Sequence, residues 1–555
     1  MRHCLPMLCM LFYFCLYFLS PRKIRGYIVQ PISSLKSQHN NFSMNLQSTL
    51  FQDLLTTQYW HNHTTTIVLA VFLVSAVTLY AWFKPKAQNL PPGPAGLPIF
   101  GNLLSLDPDL HTYLAGLAQI HGPIFKLQLG SKVGIVLTSP AMAREVLKDN
   151  DTVFANRDVP AAGRALSYGG SDIVWTPYGA EWRMLRKVCV MKMLSHATLN
   201  SVYDLRRKEV RKTVTYLQDQ VGSPVNVGEQ VFLTVLNVIM NMMWGESERE
   251  SLGAGFREMV AQMTMLLGKP NVSDFFPGLA RFDLQGVEKQ IHALMPHLDG
   301  MFEDMINQRK NIHGEERNDF LQFLLKLKDE GTGDTNTPLT ITHVKALLMD
   351  MVVGGTDTSS NTIEFAMAEM MKNPDVMKRV QEELEAVVGK DSLVEESHIH
   401  RLSYLQAVMK ETLRLHPVLP LLVPHCPSET TVVGGYTIPK GSRVFVNVWA
   451  IHRDPSIWEK PLVFDPARFL DTKWDFSGND FNYFPFGSGR RICAGIAMAE
   501  KTVLHFLATL VHLFDWTIPQ GEKLEVSEKF GIVLKKKMPL VAIPTPRLSN
   551  PGFYK

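Results

Sequence analysis

The chain has 555 residues, 46% of them hydrophobic and 20% charged, with a formal net charge of +3. That composition supports a large buried core and excludes a disordered chain, and the near-balanced charge argues against a nucleic-acid partner. The six cysteines (Cys4, Cys9, Cys15, Cys189, Cys426 and Cys493) form no CxxC pair, which excludes a disulfide framework and a zinc cluster.

In chain order, the apolar segment Cys4–Leu19 carries Pro6 and is short for a membrane span. Ile67–Phe83 is uncharged throughout and close to the ~20 residues that cross a bilayer. Lys84 and Lys86 follow it, while Met44–Thr66 holds no Lys or Arg, so the positive-inside rule places everything beyond Phe83 in the cytosol. Arg22, Lys23 and Arg25 conflict with that orientation, and a start at Met44 removes the conflict. Residues 1–43 therefore read as an N-terminal extension, either an upstream start or a targeting segment. Residues 44–66 read as a lumenal N-terminus and 67–83 as the transmembrane anchor. The Pro/Gly-rich run LPPGPAGLPIFGN cannot be helix or central strand and reads as a hinge over 84–102, ahead of a cytosolic domain at 103–555.

Within that domain Ile124–Pro140 reads as a hairpin about Gly130–Ser131. From Ala141 to about Lys328 the pattern is helical, with breaks at Gly222–Pro224 and Gly268–Pro277. Helices follow at Thr342–Met371, Pro374–Val388 and Leu402–His416, then a strand-rich patch at Thr430–Asn447, a helix to Leu513 and terminal strands. The fold class is mainly α with a minor β-sheet region.

The chemistry concentrates in FPFGSGRRICAGIAMAEK, Phe484–Lys501. Arg490, Arg491 and the N-terminus of a helix starting near Ala494 favour a thiolate at Cys493. A lone soft anionic ligand suits a metal that brings its other ligands, such as haem iron. A small buried cysteine and a nucleophile are the alternatives. In KETLRLHP, Glu411 and Arg414 share a helix face, which in isolation is a solvated ion pair. In MDMVVGGTDTSSNTIEF, Gly354 and Gly355 either stop a helix or interrupt a longer one. Trp182 and Arg186 in WRMLRKVC share one face of a basic amphipathic helix, and His425 in VPHCPSE reads equally well as a core histidine.

Phe486–Gly495, F-G-S-G-R-R-I-C-A-G, resembles the haem-binding signature of the cytochrome P-450 monooxygenases, with Phe486, Gly489, Arg491, Cys493 and Gly495 at the family's spacing. The resemblance runs from about Leu90 to Pro546. It implies the cytochrome P-450 fold with one N-terminal transmembrane helix, and haem b (iron protoporphyrin IX) with Cys493 as the axial iron ligand. It further implies that Phe486 shields the thiolate and that Arg491, Trp182, Arg186 and His425 hold the propionates. Glu411 and Arg414 would form a buried triad with Arg468 of FDPARFL, where Ala467 replaces the family's frequent Glu. The GGTDTSS segment would be a kink in a long helix, with Gly355 leaving room for dioxygen and Asp357 and Thr358 as the catalytic acid–alcohol pair. Arg183 and Lys187 would face a redox partner.

The similarity is greater to plant microsomal members, in particular a branch containing sesquiterpene hydroxylases. It implies a single-pass endoplasmic-reticulum enzyme of terpenoid secondary metabolism. Such an enzyme inserts one oxygen atom from O2 into a small apolar substrate, with electrons from NADPH through NADPH–cytochrome P-450 reductase. Flavonoid and phenylpropanoid hydroxylases share GGTDTSS. A haem-thiolate isomerase or dehydratase needs no O2 and should lack the Asp357–Thr358 pair, and a non-catalytic haem binder is a further rival. The pocket is expected to draw on Arg157–Trp175, Met349–Gly354, Leu419–Val423 and Lys529–Val533. Of the sequons at Asn41, Asn62 and Asn271, the last should stay unmodified in a cytosolic body.

Overall fold

The Gly130–Ser131 turn closes the expected hairpin, with β1 (Ile124–Leu129) antiparallel to β2 (Lys132–Leu137) and Leu127 opposite Gly134. This computed structural model describes residues 89–245, 249–311, 319–331, 337–470 and 474–555, and five positions between 68 and 75. The chain divides into two units, 1–84 and 85–555. Segments 1–43 and 44–66, and most of the 67–83 anchor, lie outside the described residues. The five described positions there are helical and exposed.

The second unit is mainly helical with small sheets. Its largest sheet adds β3 (Asn156–Arg157), β4 (His425–Cys426) and β5 (Arg443–Val446), in the order β1-β2-β5-β4-β3. Only β5 runs parallel to β2. The run expected to be a hinge is docked from Pro92 onward. Lys126 N–H donates to Pro92 O at 2.7 Å, and Asn102 N–H donates to Gln128 O at 2.6 Å. A Cβ at Gly101 would stand 2.1 Å from Gln128 O, so only glycine permits this approach.

Five helices build the core around the site. They are α1 (Ala180–Lys187), α2 (Val227–Trp244), α3 (Ile341–Lys372), α4 (Ser403–Leu415) and α5 (Ile496–Leu513). The 32-residue α3 starts at a Thr340–His343 capping box and passes through Gly354 and Gly355 without a break. Two interior glycines cost about 1 kcal/mol each, and burial against α2, α4 and α5 outweighs that cost. Among the described residues α5 alone is long and apolar enough to cross a membrane, but 72% of it is buried, so it is the central core helix.

Behind the cavity the carboxylate of Glu528 ties the C-terminal hairpin to three other segments. It accepts hydrogen bonds from His416 Nδ1 at 2.6 Å, Trp449 Nε1 at 2.9 Å, Arg453 Nη2 at 3.1 Å and His111 Nε2 at 3.3 Å. Burial alone would raise this carboxyl, but the bonds from His111 and His416 and the charge of Arg453 hold it well below the usual range. A depressed folded-state pKa stabilises above the unfolded value, about 4.3, and that contribution fades as pH falls below it. Glu528→Gln is thus expected to lower stability at pH 7 by about 1–3 kcal/mol. The gap to wild type should shrink below about pH 4 in thermal melts.

Candidate functional site

The cysteine loop is shaped by contacts that only its own residues allow. Gly489 sits at φ +68°, and a Cβ there would meet Leu147 O at 1.9 Å. Cys493 N–H donates to Phe486 O at 3.0 Å, and Gly495 N–H donates to Cys493 Sγ at 3.3 Å, just before α5 begins. Phe486 stacks edge-on against Phe476 at 5.0 Å. Cys493 is exposed by surface area yet lies deep in the protein, because its sulfur faces an internal cavity. Burial pushes the thiol up, and the Gly495 N–H and the charge of Arg186 pull it back.

That corrects the sequence expectation that Arg490 and Arg491 supply the positive charge. Arg490 pairs with Asp151 at 3.1 Å. Arg491 donates to Ala155 O and Thr176 O at 2.6 Å and to Ile173 O at 3.0 Å, and lies 4.6 Å over the Trp182 ring. The helix also starts at Ile496, two residues later than expected.

The cavity measures about 320 Å³, and all four expected segments contribute to its wall. A wider hollow of about 790 Å³ beside Arg164, His292 and Lys345 does not include Cys493. Thr358, Phe486, Cys493, Arg186, Arg491 and His425 share the first cavity, whereas Asp357 and Trp182 are not in its wall. Trp182 Nε1 donates to Ile173 O at 3.1 Å and supports Arg491 from behind. Asp357 is buried and paired with Lys535 at 2.9 Å. Thr358 Oγ1 donates to Gly354 O at 2.7 Å, within its own helix. A Cβ at Gly355 would meet Ile239 Cδ1 at 2.7 Å, whereas one at Gly354 would meet nothing within 4 Å. The open space expected at Gly355 therefore belongs to Gly354, and Gly355 serves helix packing.

Sequence reasoning did not single out Arg157, Cys189 or Asp350, which also line the cavity. Asp350 carried a signal, being the lone acid in the apolar run LLMDMVV. Arg157 is half-buried, donates to Val423 O through Nη1, and leaves its buried Nε without a partner. His425 Nδ1–H donates to Phe154 O at 2.8 Å, and burial, followed by the charges of Arg157 and Arg491, holds the ring neutral.

These residues fit haem. Arg157, Arg186 and Arg491 converge on one cavity whose remaining wall is largely apolar, and a buried guanidinium N–H is unsatisfied. That suits a flat apolar group carrying carboxylates. Among the described residues no cluster of three His, Cys, Asp or Glu could hold a metal, so a metal at Cys493 must bring its other ligands.

Behind this wall Glu411 and Arg414, both fully buried, make a bidentate pair at 2.6 and 2.8 Å, and Arg468 approaches Glu411 Oε1 at 3.5 Å. The three predicted partners meet, and the pair is not the solvated one that its spacing alone allows.

The sequence profile described as cytochrome P-450 matches residues 91–543. The chain belongs to the cytochrome P-450 family. It is 38% identical over 495 residues to geraniol 8-hydroxylase of Catharanthus roseus, covering 87% of this chain and 99% of that protein. It is 38% identical over 500 residues to flavonoid 3'-monooxygenase of Petunia hybrida, covering 88% and 98%. A solved zebra fish cytochrome P-450 with abiraterone superposes with TM-score 0.67 at 26% identity, covering 80% of this chain and all of that one. The protein is thus a cytochrome P-450 monooxygenase with the P-450 fold, related to plant terpenoid and flavonoid hydroxylases, and the family implies haem iron.

Proposed function

We propose that this cytochrome P-450 inserts one oxygen atom from O2 into a small apolar terpenoid of sesquiterpene type, and that Cys493 would hold the iron of haem b. The observation that carries the reading is the cavity itself, where Cys493 and Thr358 face aliphatic Leu419, Leu422, Ile532 and Val533. Such a wall gains most of its affinity from buried apolar area. The relative named geraniol 8-hydroxylase supports a terpenoid substrate. The flavonoid 3'-monooxygenase relative supports a flavonoid as the second reading.

Thiolate-ligated haem would supply the activation of dioxygen. Arg186, Arg491 and His425 would hold its carboxylates from the wall they share, with Trp182 bracing Arg491. Phe486 keeps water from the sulfur. Thr358 holds a proton at Oγ1, and a rotation about its side chain turns that proton from Gly354 O into the cavity. Asp357, one residue earlier and paired with half-exposed Lys535, would pass on the replacement proton, taking it up on its carboxylate from solvent and then releasing it inward. Thr358→Ala is expected to lower product formed per NADPH consumed about tenfold or more, with NADPH oxidation itself retained. Parallel product and NADPH assays check this.

Electrons come from NADPH through NADPH–cytochrome P-450 reductase, for which exposed Arg183 offers a contact. Endoplasmic-reticulum anchoring is supported by exposed helical Val68, Val71 and Val74. Leu97, Ile99 and Phe100 are further exposed apolar side chains, with Phe100 against Phe276 at 6.3 Å. The Asn271 side chain is buried, which agrees with an unmodified sequon. The test is a recombinant microsome assay with terpene and flavonoid panels, with and without reductase, under labelled O2. Labelled terpene alcohols formed only with reductase are expected. Reductase-independent turnover would instead indicate an isomerase or dehydratase, and no turnover of any terpene would end the substrate reading.

A further inference from the structure

The stretch Asp172–Thr176 has no helix or strand of its own, yet Ile173, Val174 and Trp175 line the cavity. Its carbonyls are held by Arg491 and Trp182. Its N–H groups are held by two carboxyls. Ile173 N–H donates to Asp350 Oδ2 at 2.9 Å, and Trp175 N–H donates to Asp172 Oδ1 at 2.7 Å. Asp350 comes from α3 and itself lines the cavity, while Asp172 is almost wholly buried. The two carboxyl groups thus hold N–H groups two residues apart in one short stretch and act on each other's charge. Two carboxylates confined to one buried site repel, which favours keeping one proton on the pair.

We propose that Asp350 and Asp172 form a proton-sharing clamp that fixes the cavity-lining stretch Ile173–Trp175, making Asp350 a positioning residue for ligand binding whose hold is released when both carboxyls ionise. Burial pushes both groups up from the usual carboxylate range. For Asp350 the charge of Asp172 adds to that push. Asp172 is drawn back by the N–H of Trp175, the Asp350 side chain and the N–H of Thr176. Asp172 is therefore the ionised member and Asp350 the protonated one. Asp350 accepts the Ile173 N–H on Oδ2 and keeps its proton on the other oxygen.

Arg491 on the cysteine loop faces Asp172, and Cys189, in the π-helical segment that continues α1, faces Asp350. Among the described residues Arg157, Arg186, His425 and Cys493 share the cavity that Asp350 lines. Arg491 favours the charge on Asp172. Cys189 is a neutral thiol near pH 7, its pKa pushed up to about 12 by burial and by Asp350. As pH rises the clamp gives one proton to water and becomes two adjacent carboxylates. Their repulsion is relieved by moving the stretch away from α3.

Asparagine mimics the protonated acid, since its amide donates where Asp350 O–H does and accepts where Asp350 Oδ2 does. The inference depends on the cavity being the ligand pocket and not on the substrate class. The test titrates haem-loaded wild type, Asp350→Asn, Asp172→Asn and Asp350→Ala with 1-phenylimidazole, which reports its own binding through the haem absorption. In wild type the Kd should rise about tenfold as the pH is raised above about 7, the factor of one pKa unit. Both asparagine variants should stay flat within about twofold. Asp350→Ala should bind about tenfold more weakly at pH 7. Hydrogen exchange of a peptide covering 170–176, corrected for intrinsic rate, should show the same pattern and needs no haem. The clamp is refuted if Asp350→Asn keeps the wild-type pH rise, or if it is as weak as Asp350→Ala at pH 7. A protein that takes up no haem defeats the proposed function instead, and the exchange measurement still decides the clamp.

Discussion

Arg414→Leu should destabilise the protein by about 3–5 kcal/mol, the range for removing one partner of a buried ion pair. The guanidinium makes the bidentate contact to Glu411 and also donates to His452 O and Pro461 O at 2.8 Å and to Val463 O at 3.2 Å. Leucine leaves three carbonyls without their donor and Glu411 facing only Arg468 and the Asp465 N–H. Arg414→Lys should recover little of the loss, because one ammonium cannot reproduce a planar fork that serves a carboxylate and three carbonyls. Denaturant midpoints of wild type and both variants measure this. A leucine variant within about 1 kcal/mol of wild type would show that the network adds no net stability.

Cys493→Ala should abolish turnover and the thiolate-specific carbon-monoxide difference band of the reduced protein. The fold should barely respond. Within the chain the sulfur takes a single backbone hydrogen bond, from Gly495, and its side chain faces the cavity. A loss of about 1 kcal/mol or less is expected, readable as a near-unchanged melt of the haem-free protein. Full activity in the alanine variant would remove Cys493 from the chemistry. A collapse of the haem-free fold would make the residue structural instead.

The elements were legible in the sequence where pattern and punctuation agreed. The Gly130–Ser131 hairpin starts at its expected residue and ends three short of Pro140, and α4 falls within one residue of its expected bounds. The glycines of α3 left two readings open, because local propensity opposes a helix there and only packing against Ile239 and Met498 overrides it. The family resemblance, not spacing alone, anticipated that Cys493, Phe486 and Thr358 would share a cavity and that Glu411, Arg414 and Arg468 would meet. Spacing could not reveal which arginine faces the sulfur. Arg490 and Arg491 are the neighbours in sequence, but backbone carbonyls and Asp151 occupy them, and Arg186 approaches from a separate helix. Asp350 escaped for the same reason, since its partners Asp172 and Ile173 come from a loop with no periodicity of its own.

The docked Pro/Gly run also bears on where the chain can be shortened. β1 is the outer strand of its sheet, and on its outward side Lys126 N–H is taken by Pro92 O and Gln128 N–H and C=O by Asn102. Trimming past these residues would bare an open edge of the kind that recruits other chains into aggregates. A version freed of the apolar N-terminus should therefore be cut ahead of Leu90, so that the prolines stay on as the sheet's selvedge.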